Sequence, residues 1–376
     1  MSSQGKPAIV YHHNAGPPAA VSTQPGPLSV PQRLVVVAFV ASAAWYLSWR
    51  VHSFNPDAMA FSLLMYAAEI FGFVCALLSV FICWNPRQRV APPVLNAATV
   101  AVFVPTINES VDIVRRTLLS AQRVQYATEV WLLDDGNRPA MRALAMELDC
   151  HYLARTDNTD AKAGNLNNAL VHTSAEFIAI FDADHAPAPN FLRETLGYFA
   201  DEGVAFVQTP QDFYNLDSFQ HRHGDGDSRV WSEQTLFFRV IQAGKDRWNS
   251  AFFCGSCAVV RRKAIDEIGG FATGTVTEDI HTSIRLHKRG WHSVYHGRSL
   301  AFGLAPSTAI PFLKQRLRWG QGAMQVWRQE GVLFARGLTL AQRLSSASLK
   351  LGKSRSSDAC RLPKSCCSPV LRLRTR

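Results

Sequence analysis

Two carboxylates one residue apart, Asp182 and Asp184, follow directly on the apolar run Phe177-Ile-Ala-Ile-Phe181. A buried strand there delivers both acids to a loop at its tip, where such a pair can hold a hard cation. Mg²⁺ or Mn²⁺ takes one or two protein carboxylates and fills its shell with water and phosphate oxygens, which suits a diphosphate ligand. The spacing alone carries little, since a chain of this composition holds ~0.9 Asp-x-Asp by chance. Asp225-Gly-Asp227 is a second instance, but it sits in a polar stretch with no strand before it and reads as loop.

Val130-Trp-Leu-Leu133 ends in the same way, in Asp134-Asp135-Gly136. These acids can accept hydrogen bonds from a ribose or base edge, or simply close a strand-end turn. Lys162 precedes a helix and adds a point charge at its N-terminus. There is no Gly-x-Gly-x-x-Gly and no Gly-Lys-Ser/Thr loop, so phosphate must be held by other means. Thr277-Glu278-Asp279 opens an amphipathic helix running through Ile280 to Arg289, with Thr277 placed as its N-cap. An acid at such a mouth either compensates the helix dipole or is a rigidly aimed general base. Gln315, Arg318 and Trp319 form Gln-x-x-Arg-Trp, a pattern expected ~0.03 times by chance. On a helix over 310–330 they share one face and can clamp a diphosphate and stack on a sugar, or pack on a membrane-proximal surface.

Side chains so far apart in sequence meet only if their elements share one rim. From Ala98 short apolar runs alternate with longer amphipathic stretches, the pattern of an α/β fold. The predicted strands are Thr99–Val104, Glu129–Leu133, His151–Ala154, Phe177–Phe181 and Val204–Gln208; the predicted helices are Val111–Gln122, Pro139–Leu148, Gly164–Thr173 and Phe191–Phe199. Open α/β sheets take ligands outside the carboxyl ends of their strands, so Thr106, Asn108, Glu109, Asp134, Asp135, Asp182 and Asp184 are expected to converge there.

The chain has 376 residues, 47% of them apolar and 18% charged, which excludes a wholly disordered or coiled-coil protein. Its net charge of +10 is concentrated in residues 349–376, where eight Lys/Arg face Asp358 alone. A basic excess confined to a tail is no base-reading face, and no nucleic-acid partner is expected. The eight cysteines lack the spacing of a secreted disulfide scaffold, which fits a reducing compartment, and Cys254-Gly-Ser-Cys257 has no second Cys/His pair to complete a zinc site.

Residues 1–32, rich in Pro, Gly, Ser and Ala, read as a flexible lead-in. Leu34–Trp49 carries no charge and Ala58–Trp84 only Glu69. Each can cross a ~30 Å hydrocarbon layer, so two transmembrane helices are expected within 33–85. A carboxyl at that depth is costly unless protonated or paired, so Glu69 should face another helix or a wet cavity and hints at partner spans. Lys6, Arg33, Arg87 and Arg89 flank the pair, while Asp57 balances Arg50 in the connection, which favours both ends inside.

In order and spacing, Pro105-Thr-Ile-Asn-Glu109, Asp134-Asp-Gly136, Ala161-Lys-Ala-Gly-Asn165, Asp182-Ala-Asp-His185, Phe252-Phe-Cys-Gly-Ser256, Thr277-Glu-Asp279 and Gln315-x-x-Arg-Trp319 resemble the motifs of the processive family-2 glycosyltransferases, bacterial cellulose synthase catalytic subunits above all. The likeness covers about 98–331 and the two preceding spans. It implies a GT-A (nucleotide-diphospho-sugar transferase) domain at 97–331 that takes UDP-glucose and a glycan acceptor. By the same resemblance Thr106, Glu109, Asp134 and Asp135 hold uridine and Lys162 lies near the nucleotide. Asp182 and Asp184 surround Mg²⁺ or Mn²⁺, with Asp182 also at the substrate, and Asp279 is the catalytic base. Phe253, Cys254, Gly255 and Ser256 touch the acceptor, while Gln315, Arg318 and Trp319 bind the diphosphate and the terminal acceptor sugar. The implied reaction inverts an α-linked donor into a β-1,4-glucan. The implied setting is the bacterial inner membrane, with several spans, a cytoplasmic catalytic domain and other synthase subunits as candidate partners.

The chain departs from the family pattern after Leu340, where further membrane helices and often a cyclic-di-GMP-binding domain would follow. Here 332–348 reads as an interfacial helix and 349–376 as a basic disordered tail too polar to span a bilayer, which suggests truncation or an altered reading frame. Curdlan-, chitin- or hyaluronan-type synthesis, sugar transfer to a lipid, and a non-catalytic nucleotide-sugar-binding partner stay open on sequence. These proteins share the motifs, whereas donor choice depends on pocket shape.

Overall fold

The computed structural model describes residues 26–94, 98–215, 218–219, 221–223 and 230–347. Most of the 1–32 lead-in, Asp225 and Asp227, and the 349–376 tail lie outside the described residues. Two apolar helices come first, α1 (Val30–Arg50) and α2 (Met59–Cys83). Both are long and apolar enough, by length and composition, to cross a membrane. No residue of α1 and only Ser62 and Ile82 of α2 are buried against protein. Large apolar side chains such as Leu34, Trp45, Phe61 and Leu64 therefore face outward, an arrangement that water penalises and lipid does not. Glu69 finds its partners within the pair: the Tyr46 hydroxyl donates to it at 3.2 Å and Arg50 lies 3.4 Å away. The neighbouring span that the sequence demands for Glu69 is supplied by the same chain.

An α/β unit follows. β1 (Val100–Thr106) leads to α3 (Val111–Gln122), β2 (Glu129–Asp134) to α4 (Pro139–Glu147) and β3 (His151–Ala154) to α5 (Ala161–Leu170). β4 (Phe177–Ile180) leads through β5 (Ala186–Pro187) to α6 (Phe191–Thr195). Then come β6 (Val204–Gln208), β7 (Asp212–Phe213), the antiparallel pair β8 (His221–His223) and β9 (Val230–Ser232), α7 (Gln242–Arg247), β10 (Ala258–Arg261), α8 (Arg262–Glu267), α9 (Glu278–Lys288), β11 (His292–Tyr295), β12 (Ala301–Gly303) and α10 (Ala309–Glu330).

Seven strands form one sheet in the order β11-β6-β10-β4-β1-β2-β3. Neighbours are parallel except at β10, which runs antiparallel between β4 and β6. β1 and β4 are buried at every position, as continuous apolar runs covered on both faces must be. Val102, Leu118, Leu132 and Phe181 belong to the core on one side, and Phe103, Leu166, Ile180 and Phe271 to that on the other. After β3 the chain returns to place β4 on the opposite side of β1. The β1–β4 ladder ends at the Phe103–Ile180 pair, and Pro105 has no N–H with which to extend it. That divergence is a topological switch point, where open α/β sheets take their ligands.

Several elements differ from the sequence reading. Of the interfacial helix expected over 332–348, only 340–347 is helical among the described residues, and Val332, Leu338, Gln342 and Ser345 are buried against protein. α5 spans Ala161–Leu170 rather than 164–173, so Gly164 lies inside its first turn. The expected 191–199 helix divides into α6 and a 3₁₀ segment, Leu196–Ala200, in which Gly197 lies against the carbonyls of Pro92 and Pro93. β10 was not anticipated, because a short apolar run fits helix and strand equally well.

Candidate active site

Sheet register sets Thr106 level with Asp134, and Asp134 level with Ala154, so β1, β2 and β3 end on one rim. Glu109 folds back over it, its Oε2 accepting from Thr106 Oγ1 (2.7 Å) and from the N–H groups of Ile107 (2.9 Å) and Asn108 (3.2 Å). Asp134 is fully enclosed; its carboxylate accepts from Gly136 N (3.1 Å), Arg138 N (2.6 Å), Arg138 Nε (3.0 Å) and the Tyr152 hydroxyl (3.0 Å). Arg138 also donates to Thr106 Oγ1 (2.8 Å) and Glu109 O (2.7 Å), so Asp134 frames this rim from within. Asp135 is bidentate with Arg155 (2.5 and 2.9 Å). Arg155 in turn donates to the carbonyls of Thr159 (2.6 Å) and Ala161 (2.7 Å), which fastens the start of α5 to the same rim.

Lys162 stands in the first turn of α5, and its ammonium binds Asp182 and donates to Gly255 O at 2.7 Å. The Asp182 N–H donates to Ser256 Oγ at 2.8 Å. Because β10 is antiparallel to β4, with Ala258 level with Ile180, the Phe253–Cys257 segment enters from this rim. Gly255 has φ +81°, and a Cβ there would stand 3.4 Å from Asp279 Oδ2 and 3.5 Å from Lys162 Nζ. Asp182, Lys162 and Asp279, from three distant segments, thus gather around one glycine. The electrostatics agree. Burial alone would push the Lys162 ammonium down, yet the carboxylates of Asp182, Glu278 and Asp279 hold it above its ordinary value. Burial alone would raise Asp182, yet Lys162, His185 and Arg318 hold it below the usual carboxylate range.

Asp182, Asp184 and His185 offer ligand atoms within 4.8 Å of one another, with both carboxylates partly exposed. Two hard oxygen donors with open access fit Mg²⁺ or Mn²⁺. His185 Nδ1 lies 2.9 Å from Asp184 Oδ1 and its ring packs against Gly303, so the imidazole props the second carboxylate.

Thr277 occupies the N-cap position of α9 as expected, but it makes no capping bond: its Oγ1 is buried, without a partner among the described residues, and Gly322 of α10 packs on it. Asp279 Oδ1 accepts instead from Ile280 N at 2.7 Å. Ser283 Oγ donates to Asp279 O and accepts from Phe253 N, both at 2.8 Å, so the acidic helix mouth and the 253–256 segment are fastened together. On α10, Arg318 is exposed and its charge reaches Asp182, Trp319 is half-buried, and Gln315 Oε1 is buried without a partner among the described residues.

Sequence reasoning missed two glutamines that hold this site. Gln208, at the end of β6, accepts from Cys254 N and donates to Ser256 O, both at 2.8 Å, and Gln211 donates to Cys254 O at 3.0 Å. The signal was present, since Gln208-Thr-Pro-Gln211 ends a strand just as Asp134 and Asp182 do. Neither Cys254 nor Cys257 forms a disulfide among the described residues. Cys257 has φ +56° and its thiol is pushed up by burial, so the pair marks a turn rather than half a zinc site.

A mostly parallel sheet with acids at its carboxyl rim and an antiparallel strand returning beside them defines the GT-A class of nucleotide-diphospho-sugar transferases. Residues 97–322 match the model described as glycosyltransferase like family 2, and the chain belongs to that family. It is 41% identical over 314 residues to the cellulose synthase 1 catalytic subunit (UDP-forming) of Komagataeibacter xylinus, covering 80% of this chain and 42% of that one. It is 42% identical over 311 residues to cellulose synthase 1 of the same organism, covering 80% of this chain and 20% of that one. The chain therefore spans less than half the length of these curated relatives. The fold is shared with a mannosyltransferase of Pyrobaculum calidifontis solved with GDP-Man and Mn²⁺, at a TM-score of 0.60 and 20% identity over 78% of this chain and 84% of that one.

Proposed function

We propose that this chain is a membrane-bound, inverting transferase that passes glucose from UDP-glucose to a growing β-1,4-glucan. The observation that carries the reading is the meeting of Asp182, Lys162 and Asp279 around Gly255, which sets a diphosphate-side cluster directly beside a candidate base. Thr106, Glu109 and Asp135 form the uridine rim, with Asp134 and Arg138 stiffening it from behind. Asp182 and Asp184, with His185 behind them, would hold Mg²⁺ or Mn²⁺, which would supply stabilisation of negative charge on the departing diphosphate. Lys162 and Arg318 add fixed positive charge on that side. Asp279 takes the proton of the acceptor hydroxyl as its oxygen attacks the anomeric carbon from the face opposite the diphosphate, so configuration inverts. Phe253, Gly255 and Ser256 are buried, so within the 253–256 segment only Cys254 is open to the acceptor chain, while Trp319 stacks on the terminal sugar, with Gln315 and Arg318 toward the diphosphate. The identity to UDP-forming cellulose synthase subunits supports the donor and product. The outward-facing apolar surfaces of α1 and α2 support placement in a membrane, and the basic residues flanking the pair favour the α/β unit on the cytoplasmic side.

Membranes carrying the chain, given radiolabelled UDP-glucose and Mg²⁺, are expected to form labelled glucan whose linkage analysis gives β-1,4 bonds. Asp279→Asn should cut incorporation about 10²- to 10⁴-fold while UDP still binds. Incorporation unaffected by that substitution sinks the base assignment, and UDP binding without any turnover by the unaltered chain replaces the enzyme with a binding module.

A further inference from the structure

Between Gln315 and Arg318 lies Arg316, which takes no part in the mechanism above. Its guanidinium stands over the Phe312 ring, 4.6 Å from the centroid, and over the Trp319 ring, 4.4 Å from the centroid. Phe312 precedes it by four residues and Trp319 follows by three, so a single helical face of α10 carries ring, cation and ring in contact. The side chain is only 16% exposed and is paired with Glu233, from the segment just after β9. Burial pushes its pKa down and Glu233 opposes that shift, while Nε is buried without a partner among the described residues. An arginine held in this way contributes its flat cationic face more than its donors. The stack continues beyond α10, because Phe312 packs on Phe219 with ring centroids 5.1 Å apart.

Sugar stacking depends on ring orientation, so a contact that fixes the indole lowers the ordering cost each time a sugar lands on it. We propose that Arg316 is a positioning residue that holds Trp319 in the orientation that receives the terminal acceptor sugar, with Glu233 as the counter-ion that keeps Arg316 in place. This rests on Trp319 as the sugar platform. Arg316 acts on acceptor binding through the indole and leaves the nucleotide rim, formed by β1, β2 and α5, untouched.

Titration calorimetry on the full chain in detergent, with cellohexaose and separately with UDP, tests this. Arg316→Lys keeps the charge and the reach to Glu233 but loses the planar stack. It should raise the cellohexaose Kd about five- to thirtyfold and leave the UDP Kd within about twofold. Glu233→Gln should shift cellohexaose in the same direction. In a Trp319→Ala background, Arg316→Lys should add nothing further, because its route is gone. If Trp319→Ala leaves cellohexaose affinity unchanged, the platform reading falls and takes the inference with it. If Trp319→Ala weakens binding but Arg316→Lys does not, or the two losses add, or UDP and cellohexaose weaken together in Arg316→Lys, the positioning role alone is overturned.

Discussion

Gly255 shows how much rests on one residue. Its carbonyl accepts from Lys162, its neighbour Ser256 receives the Asp182 N–H, and its missing side chain leaves the gap in which Asp279 Oδ2 and Lys162 Nζ approach. A Cβ would find ordinary contact distances there, so the cost of Gly255→Ala comes from the φ of +81°. That conformation costs an L-residue about 1–2 kcal/mol. The variant should lose about that much stability, read as a lower urea midpoint, and its glucan synthesis should fall more than its UDP affinity, since the backbone shift lands between the candidate base and the lysine.

At the scale of elements, the acid-bearing helix α9 and the Arg318–Trp319 helix α10 are pinned together by one carboxylate at the far end of α10, which reaches residues along the length of α9. Glu330, in the last turn of α10, accepts from His281 Nε2 at 2.7 Å and from Lys288 Nζ at 2.8 Å, with Arg285 at 3.4 Å. The His281 hydrogen bond, then that of Lys288, outweigh the opposing effect of burial and hold the Glu330 carboxyl down at about 2. A carboxylate whose folded pKa lies below its unfolded value stabilises the fold above the unfolded value, and that contribution is lost as pH falls toward the folded one. Glu330→Gln should therefore cost about 1–2 kcal/mol near neutral pH, solvent screening taking part of what the full shift would give. The gap between the variant and the unaltered chain should narrow below about pH 4.5 and close near pH 2 in denaturant titrations.

At the scale of the whole molecule, α7 joins the apolar helices to the sheet. Gly244 lies so close to α2 that a Cβ would fall 2.2 Å from Ile82 O, and Phe81 stacks on Trp248 at 4.5 Å. Arg89 of the linker is bidentate with Asp246 (2.7 and 3.0 Å), and Asp246 also accepts from Tyr295 N at the end of β11 (2.8 Å). Lys245, fully buried, reaches Ser345 Oγ at 3.0 Å, so the helical segment at 340–347 is fastened to the same strut. Burial pushes the Asp246 carboxyl up and Arg89 opposes it. Arg89→Met should then strand a buried carboxylate at a cost of about 3–5 kcal/mol, measured by thermal unfolding in detergent, and adding Asp246→Asn should recover part of the loss.

The sequence by itself determined the two apolar spans, the α/β alternation and the acids behind Leu133 and Phe181, because residue type and periodicity act on the local backbone wherever it lies. The Gln-x-x-Arg-Trp cluster was legible for the same reason, as a spacing on one helix. The tertiary structure decided what those groups meet. Thr106 and Glu109 became one unit through Arg138, Asp134 turned inward to Tyr152, Thr277 lost its capping role against Gly322, and Glu69 met Tyr46 and Arg50 of α1. Above all, the antiparallel entry of β10 put Gly255 between Lys162 and Asp279. Such meetings depend on strand order and register over long separations, where loop closure and core packing choose the partner and no window of sequence holds both sides of the contact.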